Sequence, residues 1–219
     1  MKHISGFIIV IFFLGCFKLS QGQDVVKDID GNDYRTIKIG SVVWMTGNLK
    51  VTRYQNGKLI PNIKEAKQWD CLDEGAYCDL MDNRNYSEAF GLLYNWYVTA
   101  DKRNVCPAGW HVPSATEWGT LVSYLAGENK NAGNSLKVPG RIAPGMEERN
   151  KDMFGVLPEG FRGYDGEFTG IGYGGGGWWS GSEINEKTAY YFNVAYNTVN
   201  MQPMEGPKTF GYHIRCVKD

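Results

Sequence analysis

The side chains that could do chemistry in this sequence are few and scattered. Beyond the N-terminal His3, the histidines are His111 and His213, and they sit in different segments. A metal site needs a carboxylate or third ligand at a recognised spacing, and neither accompanies them, so a structural role is expected for His111. Ser180 and Ser182 lie in Trp178-Trp179-Ser180-Gly181-Ser182. That run matches Gly-x-Ser-x-Gly only superficially, and a strand-like segment follows where a nucleophile elbow needs a helix. Gly174 to Gly177 resembles a phosphate loop in glycine content, but no Lys-Ser/Thr and no helix start follow. Asp28-Ile29-Asp30-Gly31-Asn32-Asp33 opens like a calcium loop, yet Asp33 and Ile39 stand where the loop needs glycine and glutamate. A Gly-Asn turn between extended segments is the expectation there. We therefore expect no catalytic residue, no metal and no cofactor.

What remains is contact chemistry. Tyr164, Tyr173, Trp178 and Trp179 flank a glycine-rich run from Gly170 to Gly177, with Arg162, Asp165, Glu167 and Glu183 nearby. Aromatic faces supply stacking area and polar groups supply direction, which suits a glycan or a protein. Tyr164, Arg162, Asp165, Tyr173, Trp178, Trp179 and Glu183 form the expected ligand-binding set. The competing reading places one or both tryptophans in the core, since alternation along a strand should bury at least one of two neighbours.

Several elements must position these residues. Tyr34, Ile37 and Ile39, then Gly40-Ser41, then Val42 to Met45 read as a hairpin. Gln55 to Arg84 is polar and turn-rich and reads as an irregular loop. Ser87 is expected to open a first helix whose apolar face runs from Ala89 to Tyr97. Ser114 with Glu117 makes a capping box, followed by Trp118, Leu121, Val122 and Leu125 at helical spacing. Short strands are expected at 154–157 and 161–164, a half-buried strand through Tyr190, Phe192, Val194 and Tyr196, and a last strand from Tyr212 to Lys218.

The N-terminus reads as a signal peptide over residues 1–22: Lys2 and His3, an apolar run to Phe17, and Ser20 and Gly22 before a cut. Phe13-Leu14-Gly15-Cys16 also resembles a lipobox, in which Cys16 would carry a lipid; simple cleavage is favoured. A membrane partner is expected only through that lipid. Residues 23–219 suit one domain. A net charge of −1 gives no nucleic-acid footprint. Cys71, Cys78, Cys106 and Cys216 then allow three pairings, of which Cys71–Cys78 and Cys106–Cys216 are preferred. The spacings lack Cys-x-x-Cys, and an oxidising compartment favours disulfides over zinc.

Asp30-Gly31-Asn32, Ile37-Lys38-Ile39-Gly40, Trp44-Met45, Asn48-Leu49-Lys50, Leu93-Tyr94-Asn95-Trp96-Tyr97, Cys106-Pro107-Ala108-Gly109-Trp110-His111-Val112-Pro113-Ser114, Trp178-Trp179-Ser180 and Arg215-Cys216-Val217 occur in one order. In that order they resemble the Fibrobacter succinogenes major paralogous domain, a family of exported bacterial proteins. The resemblance implies a Bacteroidetes-type or related bacterium, an extracytoplasmic location, and Cys106 and Cys216 as the family's cysteines. More distantly, Val112 to Trp118 and Tyr212 to Cys216 are similar to segments of the formylglycine-generating enzyme family. That likeness implies an α+β, C-type-lectin-like fold: two helices, short antiparallel sheets and long Gly-rich loops. The enzymes' reactive cysteine pair is not matched, because only Cys216 falls in that region. The expected function is an exported, non-enzymatic module that binds a glycan or cell-surface protein. An enzyme of the formylglycine-generating type with altered chemistry, or a structural subunit of a surface assembly, are the alternatives.

Overall fold

The computed structural model describes residues 24–126, 160–170, 176–194 and 201–219. The expectations for the signal peptide, Cys16, the strand at 154–157 and Tyr173 lie outside these residues. The architecture mixes a few helices with several small antiparallel sheets.

The first hairpins form as their residues dictate. β1 (Val25–Lys27) returns as β2 (Asp33–Ile39), with Lys27 paired to Asp33. The Asp28 carboxylate organises the turn between them. It accepts from the backbone N–H of Asp30 (3.0 Å) and Asn32 (2.9 Å), the Asn32 amide (2.8 Å) and the Tyr34 hydroxyl (2.6 Å). Its lone pairs are thus taken up by donors of the turn itself, the role expected of an Asx residue. β3 (Val42–Met45) pairs with β2 across Gly40-Ser41, and Gly40 takes φ 62° to make the reversal.

The stretch 55–84 is more ordered than its composition implies. It holds α1 (Ala66–Asp70), β4 (Tyr77–Cys78) and a 3-10 turn (Leu80–Asp82). The expected Cys71–Cys78 bond is absent; both thiols are free. Cys78 lies on β4 in a core with Trp69, Ala76, Leu80 and Leu93, whereas Cys71 caps α1 on the exposed side. Apolar packing holds this segment, so closeness in sequence did not make the two sulfurs partners.

The helix expected from Ser87 is also corrected. α2 (Arg84–Phe90) starts one turn earlier, where the Asn83 side chain accepts from Asn85 N–H at 3.0 Å. Ser87 is buried within it and accepts from Leu80 N–H at 2.9 Å. The helix stops at Gly91, whose φ of 97° suits glycine alone, and a Cβ there would sit 2.5 Å from that of Asn48. Leu92 N–H then donates to the Leu49 carbonyl, β5 (Leu93–Tyr94) pairs with β4, and α3 (Trp96–Thr99) follows. Leu93, Tyr94 and Trp96 of the stripe are core as expected, while Ala89 is exposed, and strand and helix share the stripe.

β6 (Trp110–His111) leads into α4 (Ala115–Ala126). The capping box is complete: the Ser114 hydroxyl accepts from Glu117 N–H (3.2 Å), and Glu117 Oε2 accepts from Ser114 N–H (2.8 Å) and its hydroxyl (2.7 Å). The second half adds β7 (Phe161–Arg162), β8 (Phe168–Thr169), β9 (Gly176–Glu183), β10 (Thr188–Val194), β11 (Gln202–Pro207) and β12 (Val217–Lys218).

The sheets order as β1-β2-β3-β12-β6, β11-β10-β9, β4-β5 and β7-β8. The expected last strand from Tyr212 shrinks to Val217–Lys218, because the residues before it bond to a different neighbour at almost every step. Gly211 exchanges bonds with Arg162, and Tyr212 with Tyr94. The carbonyls of His213, Ile214 and Cys216 accept from Trp179, Leu49 and Met45. This segment therefore joins all four sheets, and the Cys106–Cys216 disulfide (S–S 2.02 Å) locks its end.

Candidate functional site

The expected ligand-binding set is divided by the fold. Trp178 and Trp179 are both 0 % exposed. Alternation along β9 sends them to different cores. Trp179 joins Tyr94, Tyr191 and Tyr212, while Trp178 joins Trp44, Trp118 and Phe192. Both are buried because α4 covers the second face with Trp118, whose ring lies 4.9 Å from Trp44 and 5.5 Å from Phe192. Each indole N–H is satisfied inside: Trp178 donates to Asn48 Oδ1 and Trp179 to the Tyr94 carbonyl, both at 2.8 Å. Neither offers a face to a ligand.

Arg162 is a second correction. It is 1 % exposed and donates through Nε to the Gly166 carbonyl (2.7 Å) and through Nη1 to that of Ile63 (2.7 Å), with Nη2 on the Lys64 carbonyl. Its guanidinium also lies over the Trp69 ring at 4.6 Å. It is a clamp that fixes the β7–β8 hairpin to the chain before α1. Gly166 completes that fit, since a Cβ there would lie 2.4 Å from the Ala66 carbonyl oxygen. Burial pushes the neighbouring Cys78 thiol up to about 12 despite the Arg162 charge, so this thiol is inert. Glu183 is engaged by Lys208, which lies over the Trp96 ring at 4.5 Å.

Ser180 and Ser182 act as acceptors. The Ser180 carbonyl takes the Trp96 indole N–H (2.9 Å), and the Ser182 hydroxyl takes the N–H of Ala115 (3.0 Å), the first residue of α4. His213 is buried and its Nδ1 faces the Leu92 carbonyl at 3.0 Å, which requires a proton on that nitrogen. Among the described residues no group of three His, Cys, Asp or Glu side chains could hold a metal.

Tyr164 and Asp165 remain at the surface. The turn from Gly163 to Glu167 is closed by Gly163 N–H on the Glu167 carbonyl (2.7 Å), and Asp165 Oδ1 accepts from Glu167 N–H (3.1 Å). Tyr164 at its tip is 58 % exposed, and its ring lies 6.2 Å from that of Phe210. Phe210 in turn meets Phe161 (5.6 Å) and Tyr212 (5.6 Å), and Tyr212 stacks on Tyr191 at 4.4 Å. The result is an aromatic ledge: one open ring, two half-buried rings, and a buried base.

Glycines let the rings lie directly on backbone. A Cβ on Gly206 would stand 2.9 Å from the Tyr191 ring and 3.0 Å from Phe210, and one on Gly177 would stand 2.4 Å from Tyr212. Phe161 and Phe210 were missed in the sequence reading. The available signal was Gly206 and Gly211 on either side of Phe210, glycines that leave room for neighbouring aromatics.

A disulfide-closed α+β domain of small antiparallel sheets, with an aromatic ledge at a hairpin tip, is the class of protein that this fold and site define. The chain belongs to the Fibrobacter succinogenes major domain family, whose model matches residues 37–218. No curated protein and no solved structure matches it. The Asp28–Asn32 turn precedes the matched span.

Proposed function

We propose that this protein is an exported, non-enzymatic module of the bacterial cell surface or periplasm that binds a glycan on the Tyr164–Phe210 ledge. The observation that carries this reading is an exposed flat ring on a rigid aromatic base, 6.2 Å from Phe210. A sugar ring stacks on such a face through its C–H groups, and a support that is already ordered reduces the entropy lost on binding. The exposed Asp165 and Glu167 carboxylates beside it are acceptors for sugar hydroxyls.

Export is supported by the signal-peptide pattern of residues 1–22, by family membership and by the Cys106–Cys216 disulfide. No described helix is long and apolar enough to cross a membrane. In this reading the fold is C-type-lectin-like and cleavage after Gly22 releases the domain, with lipid attachment at Cys16 as the other mode. The enzyme alternative requires a free thiol at Cys216, which is bonded to Cys106.

A glycan array probed with the wild type, Tyr164→Ala and Phe210→Ala tests the proposal. The expected result is binding by the wild type and at least a tenfold loss in both variants, with melting temperatures showing folded protein. A wild type that binds no glycan would overturn the proposal in favour of a protein ligand, and variants that bind as well as it does would overturn it by moving the glycan site off the ledge.

A further inference from the structure

Three segments meet at one imidazole, away from the ledge residues. His111 leaves β6 with Nδ1 2.6 Å from Asp219 Oδ1 and Nε2 2.9 Å from Glu117 Oε1. Both ring nitrogens face carboxylate oxygens. A neutral imidazole has one N–H and can serve only one of them; the imidazolium has two and serves both. The two carboxylates are anchored differently. Glu117 also holds Ser114 through its second oxygen in the α4 capping box. Asp219 is positioned by its own N–H on the Gly109 carbonyl (3.0 Å), and its side chain is 59 % exposed.

We propose that His111 is a pH-operated latch: protonated, it ties Asp219 beyond β12 to Glu117 at the start of α4, and on losing its proton it releases the Asp219 carboxylate. Glu117 keeps its place because Ser114 still donates to it. Val217 pairs with His111 and Lys218 with Trp110. Alternation therefore carries the Lys218 side chain to the opposite side of the ladder from the histidine. The charged groups acting on the ring are Asp219 from the β12 side and Glu117 from α4.

The titration directions agree with this geometry. Burial pulls the His111 imidazole down, but the hydrogen bonds and charges of Asp219 and Glu117 outweigh it, and the net shift is upward from 6.5. Burial pushes Glu117 up, but Ser114 and His111 outweigh it, and the net shift is downward from 4.5. The histidine contribution to stability is fully present below its unfolded value and is lost as pH rises through its raised folded value. The Glu117 contribution is present above its unfolded value and is lost as pH falls through its lowered one. The latch is thus closed in mildly acidic solution and opens on the alkaline side.

The test is an NMR titration of the full chain with labelled histidine and backbone amides. The expected results are a His111 midpoint above its ordinary value, Asp219 amide shifts that follow the same midpoint, and a lower midpoint in Asp219→Asn. Glu117→Gln, which still suits a capping box, should lower it as well. A wild-type midpoint at or below the ordinary value would overturn the latch. So would an Asp219 amide that does not respond across the titration, or a midpoint unmoved in both variants.

Discussion

Replacing Trp179 by alanine separates a core role for the β9 tryptophans from a binding role. The indole is 0 % exposed, its ring meets Tyr212 edge-on at 5.0 Å and Tyr191 at 6.1 Å, and its N–H donates to the Tyr94 carbonyl at 2.8 Å. Truncating a buried Trp costs about 3–5 kcal/mol, transfer and cavity together. The lost hydrogen bond is part of that cost and leaves no orphan, because the Tyr94 carbonyl still accepts from Tyr212 N–H at 3.0 Å. A loss near 4 kcal/mol is a large part of the ~5–15 kcal/mol that holds a domain together. In a chain of this length it should lower Tm by roughly 8–16 °C. Near-UV circular dichroism during thermal unfolding reads the change directly. Trp179→Phe keeps most of the ring burial and should cost about 1–2 kcal/mol. If Trp179→Ala melts within a few degrees of the wild type yet fails to bind a ligand, the indole is a surface residue and the division of the ligand set is wrong.

Two further outcomes test the corrected local structure. Of the two free cysteines among the described residues, a thiol reagent should modify the exposed Cys71 in the native protein, and Cys78 only after unfolding, when it becomes accessible and its thiol returns from about 12 toward its ordinary value; failure of both to react in the unfolded, unreduced chain would restore the Cys71–Cys78 bond. Gly91→Ala should destabilise the domain by about 1–3 kcal/mol or more in urea unfolding, from the φ of 97° and the 2.5 Å approach to the Asn48 Cβ; a neutral variant would mean that α2 can continue into β5.

What the residues announced locally, the structure kept. The capping box at Ser114 and Glu117, the Gly40-Ser41 reversal and the Asp28 turn each close through bonds within a few residues. The Cys106–Cys216 pairing was legible for another reason: the family resemblance implied these two cysteines, and the structure bonds them. The helix from Ser87 was not legible, because its apolar stripe has the same composition whether one helix or a helix–strand–helix carries it. Partners distant in sequence decide between the two: Leu49 for Leu92, and Tyr77 and Tyr212 for Tyr94.

The candidate site divides along the same line. Sequence alone placed Tyr164 at the end of a strand over 161–164, which the structure ends at Arg162 so that Tyr164 falls in the turn, and it marked a cluster of aromatics and glycines around residues 161–183. Only the tertiary structure decided which aromatics face water. Burial of a strand residue depends on what covers each face of its sheet, and α4, about 60 residues earlier, supplies the cover that hides Trp178. Likewise Phe210 becomes the support for Tyr164 because the β7–β8 hairpin is clamped by Arg162 to carbonyls of residues 63 and 64 and by Gly211 to the last segment. Those bonds span about 100 residues in the first case and about 50 in the second, distances over which no local pattern of side chains carries information.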